Sequence, residues 1–159
     1  MSDQKLKQEI AQYVKDIPYG VLAYVSADGV PVQRTFGAFA FDQDDIVFSS
    51  RKAAAKVTAI VDHPKVSFFL ERMDQELNGW KSVLYIGEAA PIENPKELTQ
   101  ALAALSARSP FIKDLVDRNA MGDFQLFRLR TSVIEYLDFG KGFGHVDKLT
   151  IGKISAAKV

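Results

Sequence analysis

The chain has 159 residues, 47% of them apolar, with twenty basic and twenty acidic side chains that cancel and no cysteine. That length suits one domain around one core, spanning residues 1–159. The zero charge balance argues against nucleic-acid binding, which needs surplus Lys and Arg, and the missing thiols exclude disulfides, thiolate metal sites and a cysteine nucleophile.

"MSDQKLKQEIAQYVKDI" carries Leu6, Ile10, Tyr13, Val14 and Ile17 at helical spacing, with Ser2 or Asp3 as cap, and ends before Pro18. Its mixed charge does not fit a signal peptide. No apolar run approaches the roughly 18 residues of a membrane span, so the expectation is a cytoplasmic protein with no membrane partner. "YGVLAYVS" reads as a strand, "ADG" as a hairpin turn through Gly29, and "PVQRTFGAFAF" as one returning strand covered on both faces. "IVFSS" is a third strand, and a helix is expected from about Lys52 to His63, stopped by Pro64.

"KVSFFLE" and "KSVLYIGEAAPI" are further strands, separated by the polar loop "RMDQELNGW". Asn94, Pro95 and Glu97 form a helix start with a capping box, followed by the stripe Leu98, Ala101, Leu102 and Leu105. Another helical stretch runs from Pro110 to about Asn119. "DFQLFRLRTSVIEYLDF" is one long strand or a bent pair, and the glycine-rich tail from Gly140 shows no period. Short connections favour antiparallel pairing. The fold class is mainly β, a closed or split barrel with helices packed outside.

"VFSSRKAAAKV" is the stretch with chemistry in it. Ser49 or Ser50 could cap the following helix, and Lys52 and Lys56, four apart, would share one of its faces. Arg34 is expected on a strand that pairs with the serine strand. Arg34, a serine and Lys56 then suit a terminal phosphate, combining a planar fork, a point charge and a neutral donor. The same stretch also reads as a capped surface helix with solvated lysines. Asp44, Asp45, Glu71 and Asp74 read as solvated turn residues, His63 as a helix end, and Trp80 as a ligand cover or interface seal. Two distant histidines give no metal signature.

"PVQRTFGAFAFDQDDIVFSSRKAAAKVTAIVDHPKVSFFLE", followed by "KSVLYIGEA", resembles the pyridoxamine 5′-phosphate oxidase-like family of FMN-binding split barrels. The matching pattern is Arg34 on the second strand, Ser49 with Ser50 closing the third, Lys56 on the next helix, then "HPKVS" and "SVLYIGEA". The resemblance implies a homodimer with FMN at the subunit interface and a flavin-dependent oxidoreductase serving a small-molecule electron donor or acceptor. It implies that Arg34, Lys56 and a serine hold the phosphate. The backbone from Arg34 through Thr35 and Phe36 to Gly37 would follow the isoalloxazine edge, and Ser82 would reach the flavin from the partner. "AAK" stands where the true oxidase commonly has "SRK", and the tail lacks its Trp and Arg, so the resemblance is to another member. A deazaflavin would use the same phosphate site. Some relatives with this barrel bind or degrade haem, for which His145 is the candidate ligand. The glycine-rich segment is expected beside the flavin ring, with Phe143 packing and Lys141 or His145 facing the open side.

Overall fold

A computed structural model describes residues 2–152. Helix α1, Asp3–Val14, starts where the Ser2 hydroxyl accepts the Lys5 N–H, and it buries Leu6, Ile10 and Val14 on one stripe. The strands follow as β1 Gly20–Val25, β2 Pro31–Phe36, β3 Phe39–Asp42 and β4 Asp45–Arg51. After α2, Ala55–Asp62, come β5 Lys65–Glu71 and β6 Lys81–Pro91. Helices α3 Pro95–Arg108 and α4 Pro110–Asp117 precede β7 Phe124–Asp138 and β8 Val146–Thr150.

The strands form one sheet in the order β2-β1-β5-β6-β7-β4-β3, with β8 also on β7. Every pairing is antiparallel. Strand β7 is 15 residues long and serves two partners besides β6: its first half pairs β4 and its second half pairs β8. The sheet therefore forks along β7. It also curls, because the Phe36 ring on β2 meets Phe48 on β4 at 5.4 Å and Phe68 on β5 at 6.4 Å. The result is a split barrel with helices outside.

Two apolar clusters explain the continuous apolar run of β4. Ile46 and Phe48 point into the barrel with Phe39, Phe68 and Phe127, beneath α1. Val47 points the other way, with Leu126, under Leu105 and Ile112 of α3 and α4. Gly87 sits at the register shift between β6 and β7, where an added Cβ would lie 2.0 Å from the Arg130 carbonyl oxygen. Only a residue without a side chain fits so close to another backbone.

Several expectations are corrected. "PVQRTFGAFAF" breaks at Gly37 and Ala38, because β2 and β3 lie at opposite ends of the strand order and the chain must pass between them. The β2 half is largely exposed, not covered on both faces. The tail contains a strand, β8, whose Leu149 is buried against the core; residues 153–159 lie outside the described residues. Asn94 does cap α3, accepting from Lys96 and Glu97 N–H, but Glu97 does not reach back to close a capping box. Its carboxylate pairs with Arg128 instead, at 2.7 Å.

Arg128 is the charged hub of the barrel's outer side. It is buried on β7 and also bonds Asp42 at 2.8 Å and Asp45 at 3.2 Å. Asp45 additionally accepts the Thr131 N–H, so it is no solvated turn residue. Arg128→Met leaves three neighbouring carboxylates without their shared cation. Partial solvent access softens the cost to about 2–3 kcal/mol, expected as a fall of roughly 5–10 °C in the melting temperature. Arg128→Lys, a point charge with a shorter reach, is expected to restore only part of it.

Candidate functional site

The site residues are distributed by strand alternation. Arg34 and Phe36 share one face of β2, and the Phe36 ring is buried in the barrel core. Thr35 points to the opposite face, in register with Val21 of β1 and, through it, Phe69 of β5. Lys56, in the first turn of α2, lays its ammonium over the Phe36 ring at 4.9 Å. Burial holds the Lys56 pKa below its ordinary value, and the nearby Arg34 charge lowers it further. The curl of the sheet thus brings two cations together. Among the described residues neither has a carboxylate partner; Arg34 donates only to the Gln33 carbonyl, at 2.8 Å.

Both serines are buried. Ser50 shares its face of β4 with Phe48, whose ring touches Phe36, so it points toward the Arg34–Lys56 side. Ser49 alternates with Val47 and lies on the α3–α4 side, paired with Leu126. Ser50 rather than Ser49 therefore extends the cationic cluster. Neither serine caps α2, whose N-cap is Ala54 with no side-chain bond. Nor does Arg34's strand pair with the serine strand: β2 pairs only β1, while β4 pairs β3 and β7.

Helix α2 starts at Ala55, not near Lys52, because Lys52 N–H bonds the Asp123 carbonyl and residues 51–54 form a turn. Lys52 and Lys56 consequently share no helix face. Arg51 is turned away, over the Phe124 ring at 5.5 Å.

Ser82 lies opposite Glu71 and Leu137. It is on Thr35's face of the sheet but three strand spacings away and two residues further along β6, about 16 Å in all. Within one chain it does not join Arg34 and Lys56. Between them stretches a half-buried apolar face formed by Val21, Phe69, Leu84, Ile86 and Val133.

The loop after β5 is tightly held. Tyr13 donates to the Lys81 carbonyl at 2.6 Å and accepts the Arg72 N–H, while Gln75 bridges Arg72 and Lys81. Trp80 Nε1–H donates to Glu71, the last residue of β5, at 3.0 Å, which ties the end of the loop to the strand before it. Asp44 pairs with Lys7 at the surface. His145 Nε2 faces Asp147 at 3.1 Å, and Lys141 bonds both Asp147 and Glu9. Lys141 and His145 thus tie the tail to β8 and α1, at the end of the sheet that carries Ser82. Phe143 is 84% exposed. Among the described residues no group of three His, Asp or Glu side chains forms a metal site, and no helix is long and apolar enough to cross a membrane.

An antiparallel sheet curled into a half-barrel, with helices outside and paired cations where its ends meet, defines a split-barrel protein. The family model for pyridoxamine 5′-phosphate oxidase matches residues 6–138, and the chain belongs to that family. A search of curated proteins gives no match. Among solved structures, a haem-binding protein from Mycobacterium smegmatis superposes with a TM-score of 0.74 at 20% identity. The alignment covers 94% of this chain but 58% of that one, so the chain spans under two thirds of its length. A conserved hypothetical protein from Mycobacterium tuberculosis gives 0.71 at 25% identity, covering 98% and 95% of the two chains. The haem storage protein HutZ from Vibrio cholerae gives 0.65 at 24%, covering 79% and 89%. At these identities the likeness is one of fold.

Proposed function

We propose that the chain binds FMN and works as a small flavin-dependent oxidoreductase. The observation that carries this reading is that Lys56, lying over Phe36, stands close enough to Arg34 to feel its charge, with no carboxylate among the described residues to neutralise either. Holding two like charges together is unfavourable unless an anion joins them, and a phosphate monoester accepts from both. Ser50 adds a neutral donor on the same face. The exposed backbone of β2 from Arg34 offers peptide groups to a flat ring running along it. FMN bound there would supply hydride or electron transfer between a small-molecule donor and an acceptor. A deazaflavin would use the same anchor.

The reading includes a homodimer. The half-buried face of Val21, Phe69, Leu84, Ile86 and Val133 is the kind of continuous apolar surface that a second copy covers. A two-fold across it would carry the partner's Ser82 toward Thr35, supplying what one chain lacks. Haem is the rival cofactor, since two structural neighbours are haem proteins by name. Against it, the His145 Nε2 is already committed to Asp147.

Flavin reduction by NADH or NADPH under anaerobic conditions, followed by mixing with an acceptor, tests the activity. The expected result is bleaching of the bound flavin and its recovery over many cycles. A flavin that stays oxidised with both nicotinamides and with dithionite-reduced carriers would leave a binding module without turnover.

A further inference from the structure

A cleft of about 400 Å³ opens between the end of α1 and the corner joining α3 to α4. Lys15, Pro18, Tyr19, Gly37, Arg108 and Pro110 are on its walls. Its position is notable because Gly37 ends the β2 strip that begins at Arg34.

Arg108 is the last residue of α3, and its guanidinium lies over the rings of Phe39 at 4.5 Å and Phe41 at 5.3 Å. It donates to the Lys15 carbonyl at 2.9 Å and to the Ile17 carbonyl. Those two bonds lock the side chain in place yet use only part of its donor fork. Lys15 has no carboxylate partner among the described residues, and Asp16 is the one acid on the walls. Two cations against one carboxylate leave a surplus of one positive charge. Ser109 accepts the Ile112 N–H and keeps its own O–H to donate.

The remaining wall residues are two prolines, a tyrosine and a glycine. Pro18 and Pro110 line the cleft, and the Tyr19 ring beside them is 65% exposed. An added Cβ at Gly37 would lie 3.4 Å from the Tyr19 ring, so the tyrosine stands directly beside bare backbone. A locked, partly used arginine, a second cation and an exposed ring next to a glycine match a planar carboxylate on a small apolar body. A phosphate dianion would find only one net charge to meet it.

We propose that this cleft binds the carboxylate of a small, flat co-substrate and presents it at the Gly37 end of the flavin site. The placement beside flavin rests on the function proposed above; the carboxylate site itself does not.

Sodium benzoate, titrated into the flavin-free full chain and followed by amide NMR, is the test. Saturable shifts are expected at Tyr19, Gly37 and Ser109, and Lys15→Gln and Tyr19→Ala should each weaken binding roughly tenfold. Both side chains are exposed, so neither change threatens the fold. Inorganic phosphate at equal concentration should instead shift Arg34 to Phe36 and Ala55 to Lys56. With FMN bound, benzoate should shift the flavin absorption bands, and Lys15→Gln should raise the benzoate concentration needed for that shift roughly tenfold. Benzoate that gives no saturable shift, or shifts only the Arg34 and Lys56 region, overturns the carboxylate site. Benzoate that occupies the cleft but leaves bound FMN unperturbed overturns its role as co-substrate site. A chain that takes no FMN ends that role as well, while the flavin-free titration still decides the cleft.

Discussion

Lys56→Ala is expected to weaken FMN binding about ten- to a hundredfold and to leave riboflavin binding nearly unchanged. The difference isolates the phosphate, the only part of FMN that riboflavin lacks. Losing one charge-assisted contact to it costs roughly 1.5–3 kcal/mol. Lys52→Ala is the control, because Lys52 sits in the turn before α2 and shares no helix face with Lys56. Equal losses for FMN and riboflavin in a fluorescence titration would mean that Lys56 holds the ring or the fold rather than the phosphate.

The same lysine gives the binding a pH signature. Burial and Arg34 lower its pKa, so in the free protein it loses its proton at less alkaline pH than an ordinary lysine. Phosphate favours the charged form, so FMN binding is accompanied by proton uptake once the free lysine begins to deprotonate. FMN affinity therefore falls as pH rises through that lowered pKa, whereas riboflavin affinity stays flat.

Gly87→Ala is expected to be the most damaging of the single-methyl substitutions. The new Cβ would sit 2.0 Å from the Arg130 carbonyl oxygen, and the obstacle is backbone rather than a movable side chain. Relief requires β6 and β7 to separate at the register shift, in the pairing that carries both the β4 and the β8 arms of the fork. An overpacking cost of about 3 kcal/mol, or a loss of roughly 6–12 °C in melting temperature, follows. Gly122→Ala, where nothing lies within 4 Å, should be close to neutral. Equal melting temperatures for the two variants would show that the sheet absorbs the methyl group at no cost.

Much of this was legible in the residues because the elements follow local patterns. The Leu6, Ile10, Val14 stripe specifies α1, and the Asn94–Pro95 start specifies α3. "KVSFFLE" is a strand with the alternation its burial shows. What escaped depends on long-range geometry. The break at Gly37 exists because two ends of a curled sheet meet there, and nothing in "TFGAF" announces a curl. Strand β8 is a short segment, "VDKLT", hidden behind glycines and recruited by the second half of β7.

The site divides the same way. Arg34 and Lys56 are placed by pattern, and the fold brings them together. The choice of Ser50 over Ser49 comes from α3 and α4 covering one side of β4, which local sequence does not reveal. Arg128 was missed because its partners Asp42, Asp45 and Glu97 come from two distant parts of the chain. The alternation of Arg128 and Arg130 with apolar neighbours in "LFRLRT" was the one available signal.

The central claim is that Arg34 and Lys56 hold the phosphate of a bound flavin. Its most direct test is the absorption spectrum of the purified protein after incubation with FMN and haem together and removal of free ligand, with the bound species released and identified. The account predicts flavin bands and one FMN per chain, lost together in Arg34→Ala/Lys56→Ala. A haem Soret band with no flavin, or FMN retained undiminished by the double variant, would contradict it.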